Sequence, residues 1–168
     1  NVYSKEKHRA VSLYKFLRAD KFETQVRKYR TTGSKETRKR IKQGLPCVTP
    51  SGIFRERKET GLVKHTGLLC VDIDSKDNPE WDLAKSKHVI GQYCPSLYYA
   101  GLSLGGEGIF LIFRISNPEF HKQHFEALAQ YLYDAFELQV DKSVKSPVSL
   151  RVASYDEDPY YNPNPVPF

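Results

Sequence analysis

The sequence is short of the features that mark several large protein classes. No apolar stretch approaches the roughly 20 residues that span a bilayer, and the N-terminal Asn-Val-Tyr-Ser-Lys-Glu-Lys-His-Arg lacks the apolar core of a secretory signal. A cytoplasmic location with no membrane partner is therefore expected. Cysteine is scarce, and Cys47, Cys70 and Cys94 form an odd, widely spaced set without a Cys-x-x-Cys pair, which argues against a disulfide framework or a thiolate zinc site. Buried, reduced thiols are expected instead. There is no internal repeat. An initial Met is missing and the sequence stops at Pro-Val-Pro-Phe, so a domain excised from a longer protein is expected.

What is present suits one folded unit: 168 residues, 39% hydrophobic and 12% aromatic, enough to fill a core. Charge is unevenly spread. Residues 1–64 carry 18 Lys or Arg against 6 Asp or Glu, and residues 65–168 carry 8 against 14, so the two parts are +12 and −6 within the overall +6. The chain thus divides into a basic helical lobe at about 1–64, a sheet unit with an acidic site at about 65–155, and an extended tail at 156–168, all within a single domain. The basic residues cluster as Arg27, Lys28 and Arg30, then Lys35, Arg38, Lys39, Arg40 and Lys42. Such density favours a phosphate backbone as partner, although a solvated helix face carries similar runs.

Periodicity places the elements. Val11, Tyr14, Phe16 and Leu17, then Phe22, Val26 and Tyr29, predict two short helices broken near Ala19-Asp20. Ser34 opens a third, basic helix that Gly44 ends. An extended segment runs from Cys47 to Phe54, Arg55 to Lys64 forms a polar hairpin-like loop, and His65 to Asp74 reads as a strand. Pro79 to His88 predicts a helix anchored by Trp81 and Leu83. Ser96 to Ser103 and Ile109 to Ile115 predict neighbouring strands joined by a Gly-rich hairpin loop. Asn117-Pro118-Glu119 starts an amphipathic helix reaching about Leu138, its apolar side holding Phe120, His124 or Phe125, Leu128, Leu132, Ala135 and Phe136. Short strands through Gln139 to Asp141 and Ser149 to Ser154 complete an α+β fold with a mixed, mainly antiparallel sheet and flanking helices. The tail from Asp156 is expected to be extended.

The chemistry centres on Gly67-Leu-Leu-Cys-Val-Asp-Ile-Asp74. In a strand, residues i and i+2 leave the same face, so Asp72 and Asp74 project together while Val71 and Ile73 enter the core. Paired carboxylates repel unless a cation lies between them, and hard oxygens suit Mg²⁺ or Mn²⁺. A strand that merely ends in turn-forming acids has the same sequence. Asp141, after the long helix, is the natural third carboxylate, and three acids can hold the two metals of a phosphoryl-transfer site. Lys142, Lys145 and Arg151 supply positive charge nearby, Arg151 with the planar fork that matches phosphate. In Ser103-Leu-Gly-Gly-Glu-Gly108, backbone amides at Gly105 and Gly106 can approach a phosphate, and a tight turn uses the same glycines. His65 beside Thr66-Gly67 reads as structural.

Taken in order, these pieces resemble the archaeo-eukaryotic primase and primase-polymerase superfamily, and more closely the VirE-type N-terminal domains of bacterial mobile-element proteins. Gly67 to Asp74 resembles the hydrophobic-Asp-hydrophobic-Asp motif, Ser103 to Phe113 the nucleotide-binding strand pair, and Val140-Asp141 the third acidic position. Leu45-Pro46 through Phe54, His65-Thr-Gly67, Asp141-Lys-Ser143, Leu150 to Asp156 and Tyr161-Asn-Pro163 suit the VirE-type pattern.

The resemblance implies an RRM-like catalytic unit beside the basic lobe. It also implies a nucleotidyltransferase of mobile-element replication, with Asp72, Asp74 and Asp141 as metal ligands for Mg²⁺ or Mn²⁺, and Ser103, Gly105, Gly106, Lys142 and Arg151 around a nucleoside triphosphate. A nucleic-acid template, DNA rather than RNA, and a flanking helicase-like or other replication domain would be the partners. One position departs. The superfamily usually has a nucleotide-contacting His after the Ser-containing strand, where this chain has Gly108, Ile109 and Phe110. The alternative is a catalytically degenerate module of the same fold that binds nucleic acid through the basic cluster and the aromatics Tyr98 and Tyr99. A relaxase-like initiator would need paired His on a strand, whereas His121 and His124 lie in the predicted helix.

Overall fold

The computed structural model describes residues 9–168. The architecture is α+β, with four helices of two turns or more, one single-turn helix, and sheets whose pairings are all antiparallel. The mixed sheet expected from the sequence is thus antiparallel in every pairing among the described residues.

The basic lobe forms much as its periodicity predicts: α1 (Leu13–Leu17), a 3₁₀ turn at Asp20–Phe22, α2 (Glu23–Thr31) and α3 (Lys35–Gly44). Ser12 and Ser34 cap α1 and α3 by accepting from the amides of Lys15 and Thr37, leaving fewer orphan donors at the first turns. Two ribbons follow. Strand β1 (Cys47–Val48) pairs with β7 (Arg151–Val152), and β2 (Gly52–Phe54) pairs with β3 (Leu62–His65) across the expected polar loop.

The central sheet runs β4 (Leu68–Ile73), β6 (Ile109–Arg114), β5 (Leu97–Leu102) and β8 (Tyr160–Tyr161). Alternation along β4 sends Leu69, Val71 and Ile73 into the main core, where Leu111 and Phe113 of β6 meet α4 (Leu83–Tyr93) and α5 (His121–Phe136). The opposite face carries Cys70, Tyr99, Phe110 and Ile112 under Leu13 and Leu17 of α1. A smaller core of Val26, Leu45, Leu104 and Ala153 seats the basic lobe on the Gly-rich loop and the C-terminal segment.

Several boundaries differ from the sequence expectation. The strand expected from His65 to Asp74 is broken at Thr66-Gly67, where Gly67 takes a left-handed φ of 76° and its N–H donates to His65 Nδ1 at 3.0 Å. Helix α4 begins at Leu83 rather than Pro79, because the Asp82 carboxylate caps it and the preceding segment turns around Asn78. Buried Asn78 donates to the carbonyls of Asp74 and Gln139 and accepts from the Gln139 amide. That side chain replaces the ladder expected at Gln139 to Asp141. In α5 it is Phe125 rather than half-buried His124 that enters the core, His121 is buried as well, and Phe120 and Ala135 are exposed.

The tail contributes structure that its composition concealed. Tyr160–Tyr161 adds the fourth strand of the central sheet, and the buried Asp156 carboxylate pairs with the buried Lys87 ammonium while accepting from the Leu102 amide at 2.9 Å. Removing one member of such a pair leaves an uncompensated charge in the interior. Lys87→Met is expected to lower unfolding stability by about 3–5 kcal/mol, measured by urea denaturation; a loss no larger than that of an exposed Lys85→Met control would contradict it.

A second tie links the β2–β3 hairpin to α5. His65 accepts at Nδ1 from Gly67, so its Nε2 donates to His121 Nδ1 across 3.0 Å, a geometry that requires both rings to be neutral. Burial, with His65 and His124 nearby, pushes His121 down to about 4 from its ordinary 6.5. The unfolded chain therefore takes up this proton at higher pH than the folded one. Stability should be full above about pH 6.5, fall by up to about 3 kcal/mol between 6.5 and 4, and level off below that for this group. A His121→Leu variant should lose that part of the slope in denaturation curves taken across the window.

Candidate functional site at the end of strand β4

Asp72 faces the side of the sheet away from the main core, opposite Phe110 of β6. Its two carboxylate oxygens are both taken by one guanidinium nitrogen of Arg151, which reaches across from β7. Arg151 is only 9% exposed, and its guanidinium carbon lies 4.6 Å from the centre of the Phe110 ring. Burial opposes its charge, yet the Asp72 carboxylate holds it, and its pKa lies above the ordinary arginine value. Cys70, two residues before Asp72 on the same face, is pushed up to about 12 by burial despite the pull of Arg151, and so stays a thiol. Arg151 Nε is buried without a hydrogen-bond partner.

Asp74 lies one residue beyond β4, more exposed, where it begins the 3₁₀ turn Ser75–Asp77 with Lys76 Nζ at 3.8 Å. Asp141 is brought beside β4 by its backbone: its amide donates to the Asp72 carbonyl at 2.8 Å. Its carboxylate is used locally, accepting from the Ser143 amide at 2.8 Å and the Ser143 hydroxyl at 2.9 Å to cap the turn Lys142–Val144. Among the described residues no three His, Cys, Asp or Glu side chains converge as a metal-holding group. In this arrangement a divalent ion on Asp72 would share its carboxylate with the Arg151 guanidinium, and one on Asp141 would share its carboxylate with Ser143.

The Gly-rich loop closes as a tight hairpin turn, with the Ser103 amide donating to the Gly108 carbonyl at 2.8 Å and the Gly106 amide to the Ser103 carbonyl at 3.0 Å. Gly106 sits at φ 82°, and Gly105 has open space around it. Gly108 is a close-approach glycine: a Cβ there would meet the Ile73 carbonyl at 2.6 Å and the Asp74 Cα at 3.3 Å. The end of β4 thus excludes any side chain, His included, from position 108. The next residue facing Asp72 is Phe110, which supports Arg151.

The basic cluster divides in two. Arg30 lies inside, donating to the carbonyls of Ser103, Leu104 and Tyr155 at 2.8–3.2 Å and so pinning the Gly-rich loop to the lobe. Burial lowers its pKa below the ordinary arginine value. Arg27 pairs with Glu23 and Glu157, and Arg38 donates to the Thr32 carbonyl while lying over Tyr29. Lys28, Lys35, Lys39, Arg40 and Lys42 are exposed and have no carboxylate within salt-bridge distance among the described residues. Of the expected stacking residues, Tyr99 is buried against Phe110, and Tyr98 packs edge-on to Tyr161. Sequence reasoning missed Phe110 and Asn78 as site residues. The i, i+2 facing logic that selected Asp72 also reaches Phe110 once the β4–β6 register is known.

No curated protein and no solved structure matched the chain. A family model, that of the BT4734-like N-terminal domain, matches residues 40–161, from α3 through every strand to β8. That span takes in Asp72, Asp74, the Gly-rich loop, Asp141 and Arg151, and covers well over half of the sequence; the chain belongs to the BT4734-like N-terminal domain family.

Proposed function

We propose that this domain is a nucleic-acid-binding module of a mobile-element replication protein, one that grips the phosphate backbone of DNA through helix α3. The observation that carries the reading is the division among its cations. Lys35, Lys39 and Lys42 recur at i, i+4 and i+7, so they form one stripe, with Arg40 beside it, while half-buried Ile41 and Thr37 face the lobe. No carboxylate among the described residues neutralises that stripe. Lys28 extends it from α2. The reading also agrees with a site whose acids already have partners, Asp72 with Arg151 and Asp141 with Ser143.

Backbone binding of this kind is salt-dependent and indifferent to base sequence. Replacing Lys35, Lys39 and Lys42 together by Ala should weaken binding of a fluorescent single-stranded oligonucleotide at least tenfold. It should also flatten the slope of log K against log salt by about 2, from roughly 0.7 per lost phosphate contact. EDTA should change neither value. An unaltered slope in the triple variant would reject the assignment.

A second reading keeps catalysis. It is favoured by the meeting of Asp72, Asp74, the backbone of Asp141 and the Gly-rich loop at one end of β4. In that reading Ser103, Gly105, Gly106, Lys142 and Arg151 receive a nucleoside triphosphate, and bound Mg²⁺ or Mn²⁺ supplies Lewis-acid stabilisation of phosphoryl transfer. Asp74→Asn is the informative variant, because Asp74 is exposed and its loss does not strand Arg151. Calorimetric titration of Mn²⁺ with a triphosphate should show binding that Asp74→Asn abolishes; no heat with the unaltered protein would exclude this reading.

A further inference from the structure

Beyond the α3 stripe, an open groove of about 1010 Å³ runs between the α1 to Phe22 segment on one side and the β1–β2 segment on the other. Its volume is at the upper end of the ~300–1,000 Å³ typical of small-molecule pockets, and its walls combine two chemistries. Four of its lining residues are cations, Arg9, Lys15, Lys21 and Arg57. Glu56 is the one lining carboxylate among the described residues, and Lys58 already neutralises it at 2.7 Å.

Three aromatic rings, Phe16, Phe22 and Phe54, also line the groove, each only half buried, and Lys21 Nζ stands 4.9 Å from the centre of the Phe22 ring. Pro46 and Cys47, which line the groove, follow within three residues of Gly44 at the end of α3, so the groove adjoins the C-terminal end of the α3 stripe. Rings set among cations that have no carboxylate within salt-bridge distance among the described residues offer stacking surfaces for flat bases beside charges for the phosphates between them. A duplex keeps its bases stacked inside and cannot use such rings.

We propose that this groove seats the unpaired bases of a single-stranded segment whose backbone α3 holds, so that the module prefers single strands to duplex. The inference rests on the nucleic-acid-binding reading and adds to it the site and the strandedness. An acidic peptide would answer the same cations but need not cover the exposed parts of the three rings.

The test measures affinity for a 12-nucleotide single strand and for the matching duplex by fluorescence anisotropy, in the wild-type chain, Phe54→Leu, Arg57→Glu and the Lys35, Lys39, Lys42 triple Ala variant. Near-UV circular dichroism checks that each variant is folded. Phe54→Leu keeps apolar bulk and removes one ring; it should weaken single-strand binding about tenfold with an unchanged salt slope and unchanged duplex affinity. Arg57→Glu, at an exposed lining residue, should weaken single-strand binding more than duplex binding and flatten its salt slope. If the triple variant loses affinity while both groove variants bind like wild type, the groove proposal is overturned and the module reading stands. If the wild-type chain binds neither nucleic acid, both fall. Competition by oligoglutamate as effective as by the oligonucleotide would also overturn the proposal in favour of an acidic protein partner.

Discussion

The ion pair between Asp72 and Arg151 is the constraint on which the arrangement turns. A guanidinium as buried as that of Arg151 is tolerated only with a carboxylate beside it, and removing one member of such a pair costs about 3–5 kcal/mol. The pair holds the β1–β7 ribbon against β4, with Phe110 as a floor beneath the guanidinium. Through the ribbon it also connects to the small core beneath the basic lobe, since Val152 packs there. The residue most readily taken for a metal ligand and the one most readily taken for a phosphate cradle therefore satisfy each other. Asp72→Asn consequently perturbs the fold as well as any chemistry, which makes Asp74 the better probe.

Charge in the basic lobe is sorted by the same physics. Arg30 and Arg38 donate to carbonyls and Arg27 bridges two glutamates, so these three arginines serve packing. Apart from Arg40, the cations of the cluster without such a partner among the described residues are lysines, whose hydrated ammonium groups lose little by staying in water. A plain count of charge overstates the free basic surface, which reduces to Lys28, the α3 stripe and the cations of the adjoining groove among the described residues.

Local signals were legible in the sequence where one residue decides one event. Ser34 capping α3, the alternation that buries Val71 and Ile73, and the two strands around the Gly-rich turn all follow from nearest neighbours. The boundaries that shifted depend on distant partners. Asn78 substitutes side-chain hydrogen bonds for a strand at Gln139, and His65 captures the Gly67 amide where the expected His65–Asp74 strand breaks. The sequence predicts an extended tail, but its partners lie far off in sequence: Asp156 finds Lys87 in α4 and Tyr160–Tyr161 finds the edge of β5. In the site, spacing identified Asp72, Asp74 and Asp141 as neighbours of one strand end, and the backbone bond from Asp141 to Asp72 agrees. Spacing could not reveal which cation or hydroxyl would occupy each carboxylate, because those partners lie up to 79 positions away. The glycine at 108 acquires its meaning only from the Ile73 carbonyl against which it packs.

The most direct test of the central claim is amide and arginine side-chain chemical-shift mapping of the isotope-labelled domain during titration with a short single-stranded oligonucleotide in EDTA. The account predicts shifts along Lys35 to Lys42 and the adjoining groove, with the Arg151 side-chain signal and the Asp72 amide unmoved. Shifts that instead appear only with Mg²⁺ and nucleotide, confined to Asp72, Asp74, the Ser103 to Gly108 loop and Asp141, would contradict it.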